Sequence, residues 1–273
     1  MILHGSQKSR FLSRTSRLTL PAIALVLAVL ACAQLPPAST ITPGSGIVMT
    51  LVASKQSQPA LTTASPGSSC AFDFFPTDEN TTWEFNGSNP FQGSYKRKDV
   101  ITDSNEDGYT VTSELPGKTL TLEYGCTPAG IVLLDPTKMF PIATGSGASG
   151  TATMKTLGHS GISLPVKLKP GLNWQQTVDW QMSGSGSSIH GMFTMNYNAM
   201  SIDSVTVPFG TFDAVRVDTQ IQIQMDGKDA GTCDVSTWFA KGIGIIKQDY
   251  TCPNLDAALR NHIELTNFVP GTP

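Results

Sequence analysis

The chain has 273 residues, of which 40% are apolar and only 14% are charged, and its formal net charge is −3. The apolar share excludes a disordered chain, because disordered chains have too few apolar residues to build a core. With neither a strongly positive charge nor a basic stripe, the sequence also excludes a typical nucleic-acid-binding protein. Few charges combined with many Thr and Val residues favour β-strands over helices.

Residues 1–31 have the pattern of a bacterial secretion signal. The apolar stretch LTLPAIALVLAVLA is too short for a membrane span, and it follows a basic segment that contains Lys8, Arg10, Arg14 and Arg17. The letters VLAC that end at Cys32 resemble the lipobox of bacterial lipoproteins, in which the cysteine is lipidated. We predict lipidation of Cys32 and an exported protein, anchored by its lipid to a membrane of the bacterial cell envelope. Ordinary signal cleavage after ACA, residues 31–33, is the alternative.

Residues 32–69 have the composition of a flexible tether. Pro, Ser, Thr and Gly dominate this segment, as in AQLPPASTITPGSG and SKQSQPALTTASPGSS, and no periodicity is sustained. The apolar piece GIVMTLVAS within it resembles a strand, and we assign it to the tether. We expect one folded domain to follow, over residues 70–273.

Alternation with a period of two dominates residues 70–273. TTWEFNG, KTLTLEYG, LNWQQTVDWQM and FDAVRVDTQIQIQM each place apolar residues on one side and polar residues on the other. NEDG, LPGK, KPG, VPFG and MDGK have the composition of turns and separate these runs. The pattern predicts an all-β fold: a single antiparallel sheet domain, arranged as a half-barrel or a sandwich. Strand positions that fill a core or line a pocket are expected for Trp83, Trp174, Trp180 and Trp238.

STWFAKGIGIIKQDYTC, residues 236–252, reads as a hairpin with KGIG as its turn and Gly242 first in a two-residue loop. In that register the numbers of facing residues sum to 485. Phe239 then faces Ile246, and Cys233 faces Cys252 at a separation that suits a disulfide. Because the cysteines were not used to choose the register, their pairing supports it.

The cysteine count agrees with two disulfides in an oxidising compartment. Lipidation uses Cys32 and leaves four of the five cysteines. If Cys233 pairs with Cys252, then Cys70 pairs with Cys126. A metal site made of these four is the less favoured alternative, because no Cys-x-x-Cys spacing occurs.

Four segments occur within residues 72–248 in this order: FPTDENTTWEF, LPVKLKPGLNW, VTVPFGTFDAVRV and WFAKGIGIIK. They resemble a large group of uncharacterised bacterial lipoproteins with a VPAGTF-type strand motif and a closing W(F/Y)AxGVGxVK hairpin. In this chain Phe209 stands where that group commonly has alanine. The resemblance implies an antiparallel β fold, distantly like the half-barrels of periplasmic lipoprotein carriers. It carries over no catalytic residue.

DSNEDGYTVTSE, residues 103–114, fits the spacing of a calcium-binding loop. In that interpretation Asp103, Asn105 and Asp107 are oxygen ligands, and Glu114 closes the site. A hairpin turn around Asp107 and Gly108 accounts for the same sequence and is the favoured interpretation. On a strand, Glu114 would lie about 20 Å from the turn, too far to close the shell.

The remaining catalytic signals are weak. GHSGI, residues 158–162, lacks the second glycine of a nucleophile elbow. The histidines His159, His190 and His262 share no ligand spacing, and Asp179 is a lone carboxylate. We therefore predict no enzymatic activity, no cofactor and no metal. The favoured role is a binding or structural domain for an apolar or amphiphilic ligand or an envelope protein, and the alternatives are an envelope-polymer hydrolase and a calcium-binding surface domain.

Overall fold

The computed structural model describes residues 70, 72–90, 92–139, 153–184, 187–253 and 260–271. The secretion signal, Cys32 and the tether lie outside these residues. The described chain contains one short 3-10 helix, Pro136–Met139, and none of its helices has the length and hydropathy to cross a membrane. All its other regular structure is β. The strands are β1 Thr82–Asn89, β2 Gly93–Ser104, β3 Gly108–Leu115, β4 Lys118–Thr127, β5 Gly130–Leu133, β6 Thr153–Gly161, β7 Leu164–Pro165, β8 Asn173–Gly184, β9 Ser187–Val207, β10 Gly210–Met225, β11 Lys228–Ala240, β12 Gly244–Thr251 and β13 Arg260–Val269.

The strands form one antiparallel sheet in the order β6-β8-β9-β10-β11-β12-β13-β1-β2-β3-β4-β5-β7. The predicted all-β class and the single antiparallel sheet are confirmed. Most neighbours in the sheet are consecutive in the chain, because tight turns join them. The exception at the centre is β13, which pairs with β12 on one side and with β1 on the other. The sheet does not close into a barrel.

Hydrogen bonds bring the two ends of this sheet together. Ser163 lies between β6 and β7, and its N–H donates to the carbonyl of Ile131 in β5 at 2.7 Å. The Ser163 hydroxyl donates to Gln176 of β8 at 2.8 Å, and the Gln176 amide donates to the carbonyl of Leu133 at 3.3 Å. Gln176 is almost wholly buried. Strands from opposite ends of the order therefore meet, and the sheet curls around its inner face.

The turns follow the chemistry that the sequence predicts. Asp226 and Gly227 join β10 to β11 with φ values of 48° and 73°, as a two-residue hairpin turn of type I′ requires. Pro116 and Gly117 join β3 to β4, and Gly117 has a φ of 76°, which suits the third position of a type II turn. Both turns need the left-handed region, and both place glycine there.

Alternating burial follows the predicted pattern along the strands. In β10, Val215, Val217, Ile221 and Ile223 are each at most 6% exposed, whereas the glutamines Gln220 and Gln222 between them are exposed. We call the face with the buried residues the inner face and the opposite one the outer face. Buried residues of β1–β5 join those of β9–β13 in one cluster, which a flat sheet would keep far apart.

The hairpin of β11 and β12 matches the predicted register along most of its length. Val235 faces Tyr250, as expected, and the register holds from Asp234 to Trp238. One pair is wrong, because a bulge after Trp238 makes Phe239 face residue 245 rather than residue 246.

The cause of the shift is the length of the loop. Three residues, 241–243, separate the strands instead of two. Gly242 and Gly244 both take positive φ values, 74° and 97°, and a left-handed residue after a three-residue loop produces this kind of bulge.

Candidate functional site

The inner face around β1–β4 is filled by the chain itself. Phe75 precedes β1, and its ring lies 5.4 Å from the ring of Trp83 and 5.6 Å from that of Tyr109. Tyr109 in turn stacks on Tyr124 at 4.8 Å. Trp83 and Tyr109 are each 3% exposed. Aromatic rings thus occupy the surface that a carrier of apolar molecules would keep open.

One ion pair lies within this aromatic interior. Arg97 of β2 donates from Nε and Nη2 to both oxygens of Asp99, at 2.8 and 2.7 Å, and its guanidinium lies 5.6 Å from the centre of the Phe85 ring. Burial is the largest single influence on the pKa of Arg97 and lowers it, but the charge and hydrogen bonds of Asp99, together with Tyr124 and Tyr95, raise the pKa above its usual value. Burial also raises the pKa of the nearby Tyr124 hydroxyl. Because breaking such a pair leaves a buried charge alone, we interpret it as structural.

The far half of the inner face carries a second buried cluster. Trp180 of β8 is fully buried and packs on Phe193, with ring centres 5.2 Å apart. Its indole lies where a side chain on Gly191 would be, since a Cβ there would approach Trp180 within 2.0 Å. The half-buried Met154 and Met182 pack against this cluster. Trp83 and Trp180 fill the core as predicted.

The outer face carries a row of polar side chains in direct cross-strand register. One residue from each of seven adjacent strands, β9 to β13 followed by β1 and β2, contributes to it. At ~4.8 Å between strands, the row extends for about 29 Å. We call this the outer row; its members are Ser201, Arg216, Trp238, Lys247, Glu264, Asn86 and Lys96.

Trp238 is the only aromatic residue of the outer row. The Arg216 guanidinium lies 5.6 Å from the centre of its ring, and the Lys247 ammonium lies 5.2 Å from it. The indole N–H donates to Asp203 at 3.1 Å. Asp203 also accepts a hydrogen bond from Ser201, and these two bonds lower its pKa. The indole is therefore held in place by charges of both signs; it is half-buried, because it also packs against the main buried cluster.

His262 lies beside the outer row, between two carboxylates. Its Nδ1 is 2.5 Å from Asp249 and its Nε2 is 3.3 Å from Glu264. Ser88 lies opposite His262 on β1, so a serine, a histidine and an aspartate stand side by side next to a cavity of about 500 Å³. In a nucleophilic triad Nε2 must receive the serine proton. Here that nitrogen lies 3.3 Å from Glu264, so the imidazole stands between two carboxylates rather than facing the serine.

The outer row was not predicted from the sequence, because core or pocket positions were expected for all four tryptophans. Trp238 has the opposite parity to Cys233 and Val235, which point inward. The strand period of two therefore places Trp238 outward. The same parity, extended to the neighbouring strands, was the available signal for the row.

The hairpin interpretation of residues 103–114 is confirmed. β2 pairs with β3 across a three-residue loop. The side-chain oxygen of Asn105 accepts the N–H groups of Asp107 and Gly108 at 2.9 and 3.1 Å, the typical role of Asn in a turn. Glu114 lies far along β3, opposite Lys98. Over the described residues, no three His, Cys, Asp or Glu side chains are grouped to hold a metal ion.

The other residues considered for chemistry are spread over the sheet. His159 lies on β6 opposite Val178, and His190 lies on β9 with its Nε2 3.2 Å from the Gln181 amide. With His262 on β13, the three histidines occupy three strands that are not neighbours. Asp179 lines a separate cavity of about 450 Å³.

The four cysteines of the β domain lie in two pairs at disulfide distance. Cys70 and Cys126 have a Cα separation of 5.5 Å, and Cys233 and Cys252 have one of 4.0 Å. All four are at most 5% exposed. The first pair ties the segment before β1 to β4, and the second joins β11 to the residue that follows β12.

Comparisons with known proteins reach part of the chain. A sequence model of the DUF3108-like family matches residues 122–251, a little under half of it. A predicted exported protein with a YmcC-like fold from Bacteroides fragilis superposes with a TM-score of 0.46 and 15% identity, covering 73% of this chain and 100% of its own. A predicted lipoprotein from Parabacteroides distasonis gives a TM-score of 0.48 and 14% identity, covering 73% and 99%. No curated protein matches the sequence. The chain is thus similar to the DUF3108-like family from β4 to the end of β12.

Proposed function

We propose that this chain is an exported protein, anchored in the bacterial cell envelope by a lipid on Cys32, and that its β domain binds an envelope protein without catalysing a reaction. The basic segment, the apolar stretch and VLAC support export and lipidation. Residues 32–69 then act as the tether between the membrane and the domain.

The observation that carries the binding role is the half-buried Trp238, which keeps part of its indole on the surface in the outer row. Trp and Arg are enriched at the energetic centres of protein interfaces. The Arg216 and Lys247 contacts with Trp238 fix its indole before binding, so little side-chain entropy is lost when a partner covers it. Two cations and a carboxylate contact the indole, which suits a partner surface that carries both signs.

The two rival roles lack such support. A carrier needs an open apolar cavity, and the inner face around Trp83 is filled by Phe75 and the stacked tyrosines. A hydrolase needs a base with a free nitrogen or oxygen near a nucleophile, and both nitrogens of His262 face carboxylates.

Photo-cross-linking in the producing cells tests the proposal. A photoreactive residue at Asn86, in the outer row, should yield a defined adduct with one envelope protein. The same residue at Gln222, exposed on β10 about 20 Å along the strand from Arg216, is the matched control and should not. Trp238→Ser should abolish the Asn86 adduct.

Four results would contradict the proposal. Equal adducts from both positions would mean chance collision, and no adduct from either would mean that the outer row binds no protein. A shift in tryptophan emission on adding fatty acids, lysophospholipids or sterols would favour a carrier. Hydrolysis of an envelope polymer that His262→Gln removes would favour an enzyme.

A further inference from the structure

Two methionines stand side by side at one edge of the inner face. Met154 of the edge strand β6 is directly opposite Met182 of β8, and both are half-buried against the cluster that contains Trp180. The Cβ atoms of directly opposite residues are about 5 Å apart. Because Met has three rotatable side-chain bonds, both thioether sulfurs can approach one point between them.

The neighbours of this methionine pair in its cross-strand row are uncharged. Lys155 and Gln181, the next residues on the two strands, belong to the opposite face, and Ile189 follows Met182 in the same row on β9. The four cysteines of the domain are paired at disulfide distance. Thioethers are therefore the soft sulfur donors that this inner face offers.

We propose that Met154 and Met182 bind a soft monovalent metal ion, Cu(I) or Ag(I), beside the indole of Trp180. Thioether ligands select Cu(I) over harder ions. Trp180 is two residues from Met182 on the same face of β8, roughly 6–7 Å along the strand, where its ring attracts a cation. With no carboxylate in the row Met154–Met182–Ile189, the site has nothing to attract Ca²⁺ or Mg²⁺. This site is independent of the outer row, so either proposal can fail alone.

Titration with Ag(I), followed by native mass spectrometry and tryptophan fluorescence, tests the site. The full chain with Cys32→Ser is used, since this substitution removes the one cysteine outside the two pairs. We expect one Ag(I) per chain and quenching of the Trp180 emission. The double variant Met154→Leu/Met182→Leu nearly conserves side-chain volume and should lose at least ~10-fold in affinity. Circular dichroism before titration verifies that it is folded.

Met200→Leu is the matched control, because Met200 is 48% exposed on β9 and lies outside the site. It should bind Ag(I) as the parent does. Trp180→Phe should keep the stoichiometry and lose most of the quenching. Unchanged affinity in the folded double variant would overturn the proposal, and so would an equal loss in Met200→Leu.

Discussion

We propose that the two cysteine pairs are disulfides, and removing them one at a time gives a ranked prediction, because the bonds would close loops of different length. The pairs are 56 and 19 residues apart in sequence, for Cys70–Cys126 and Cys233–Cys252 respectively. A cross-link removes chain entropy from the unfolded state in proportion to the logarithm of the loop length. That relation gives about 4.2 kcal/mol for the longer loop and about 3.3 kcal/mol for the shorter one.

Urea unfolding of the two double alanine variants measures these costs. We expect Cys70→Ala/Cys126→Ala to have the lower free energy of unfolding, by about 0.9 kcal/mol. Since all four cysteines are buried to a similar degree, the loss of side-chain packing shifts both variants alike and preserves their order. Reducing agent should destabilise the parent protein, and it should affect each variant only through the remaining bond. A reversed order, or a parent protein insensitive to reduction, would refute this loop-closure reasoning.

Three further outcomes are expected. Gly191→Ala should lower the free energy of unfolding by about 1–3 kcal/mol, because the new Cβ would come within 2.0 Å of Trp180. Gly158→Ala is the control: the nearest atom to its Cβ is 3.9 Å away, and the change should stay within ~0.5 kcal/mol. Equal losses in the two variants would contradict the clash. Cys32→Ser should move the protein from the membrane fraction to the soluble fraction. A native chain whose mass shows no acyl group would contradict lipidation. Burial raises the folded-state pKa of five tyrosines: Tyr95, Tyr109, Tyr124, Tyr197 and Tyr250. The free energy of unfolding should therefore be highest below the unfolded tyrosine pKa of ~10 and should fall as the pH rises above it. Tyrosinate absorbance at 295 nm should appear only with unfolding, and titration near pH 10 in the folded state would contradict this burial.

The local alternation of apolar and polar residues predicted the strands, but it did not predict which distant strands pair. Alternation identified β10 because each inward residue from Val215 to Ile223 is apolar or small, and turn residues such as Asp226–Gly227 marked its end. The position of β13 between β12 and β1 depends on contacts some 180 residues apart in sequence, which no local period encodes. Parity along β11 was sufficient to place Trp238 on the outer face.

The bulge after Trp238 does not follow from the local sequence, for a different reason. KGIG suits both a two-residue loop and a three-residue loop, since both need glycine at a positive φ. The pairing of Cys233 with Cys252 is compatible with either loop, because the bulge lies between the turn and the cysteines. The same holds for the outer row: a row of charged residues on a solvent-facing side of a sheet has the same sequence pattern whether it binds a partner or only water.

The central position of β13 has a consequence for the timing of the export that we propose. β1–β5 and β8–β12 each form a run of neighbouring hairpins, and β13 is the strand that joins the two runs within the sheet. A chain that crosses a membrane from its N-terminus delivers β13 last. The pairing with the highest contact order therefore forms last, and folding of the whole sheet waits for it. Until residues 260–269 emerge, both runs keep an open edge next to the missing strand, and such edges are sites of aggregation. During that interval a chaperone that covers these edges would protect the domain.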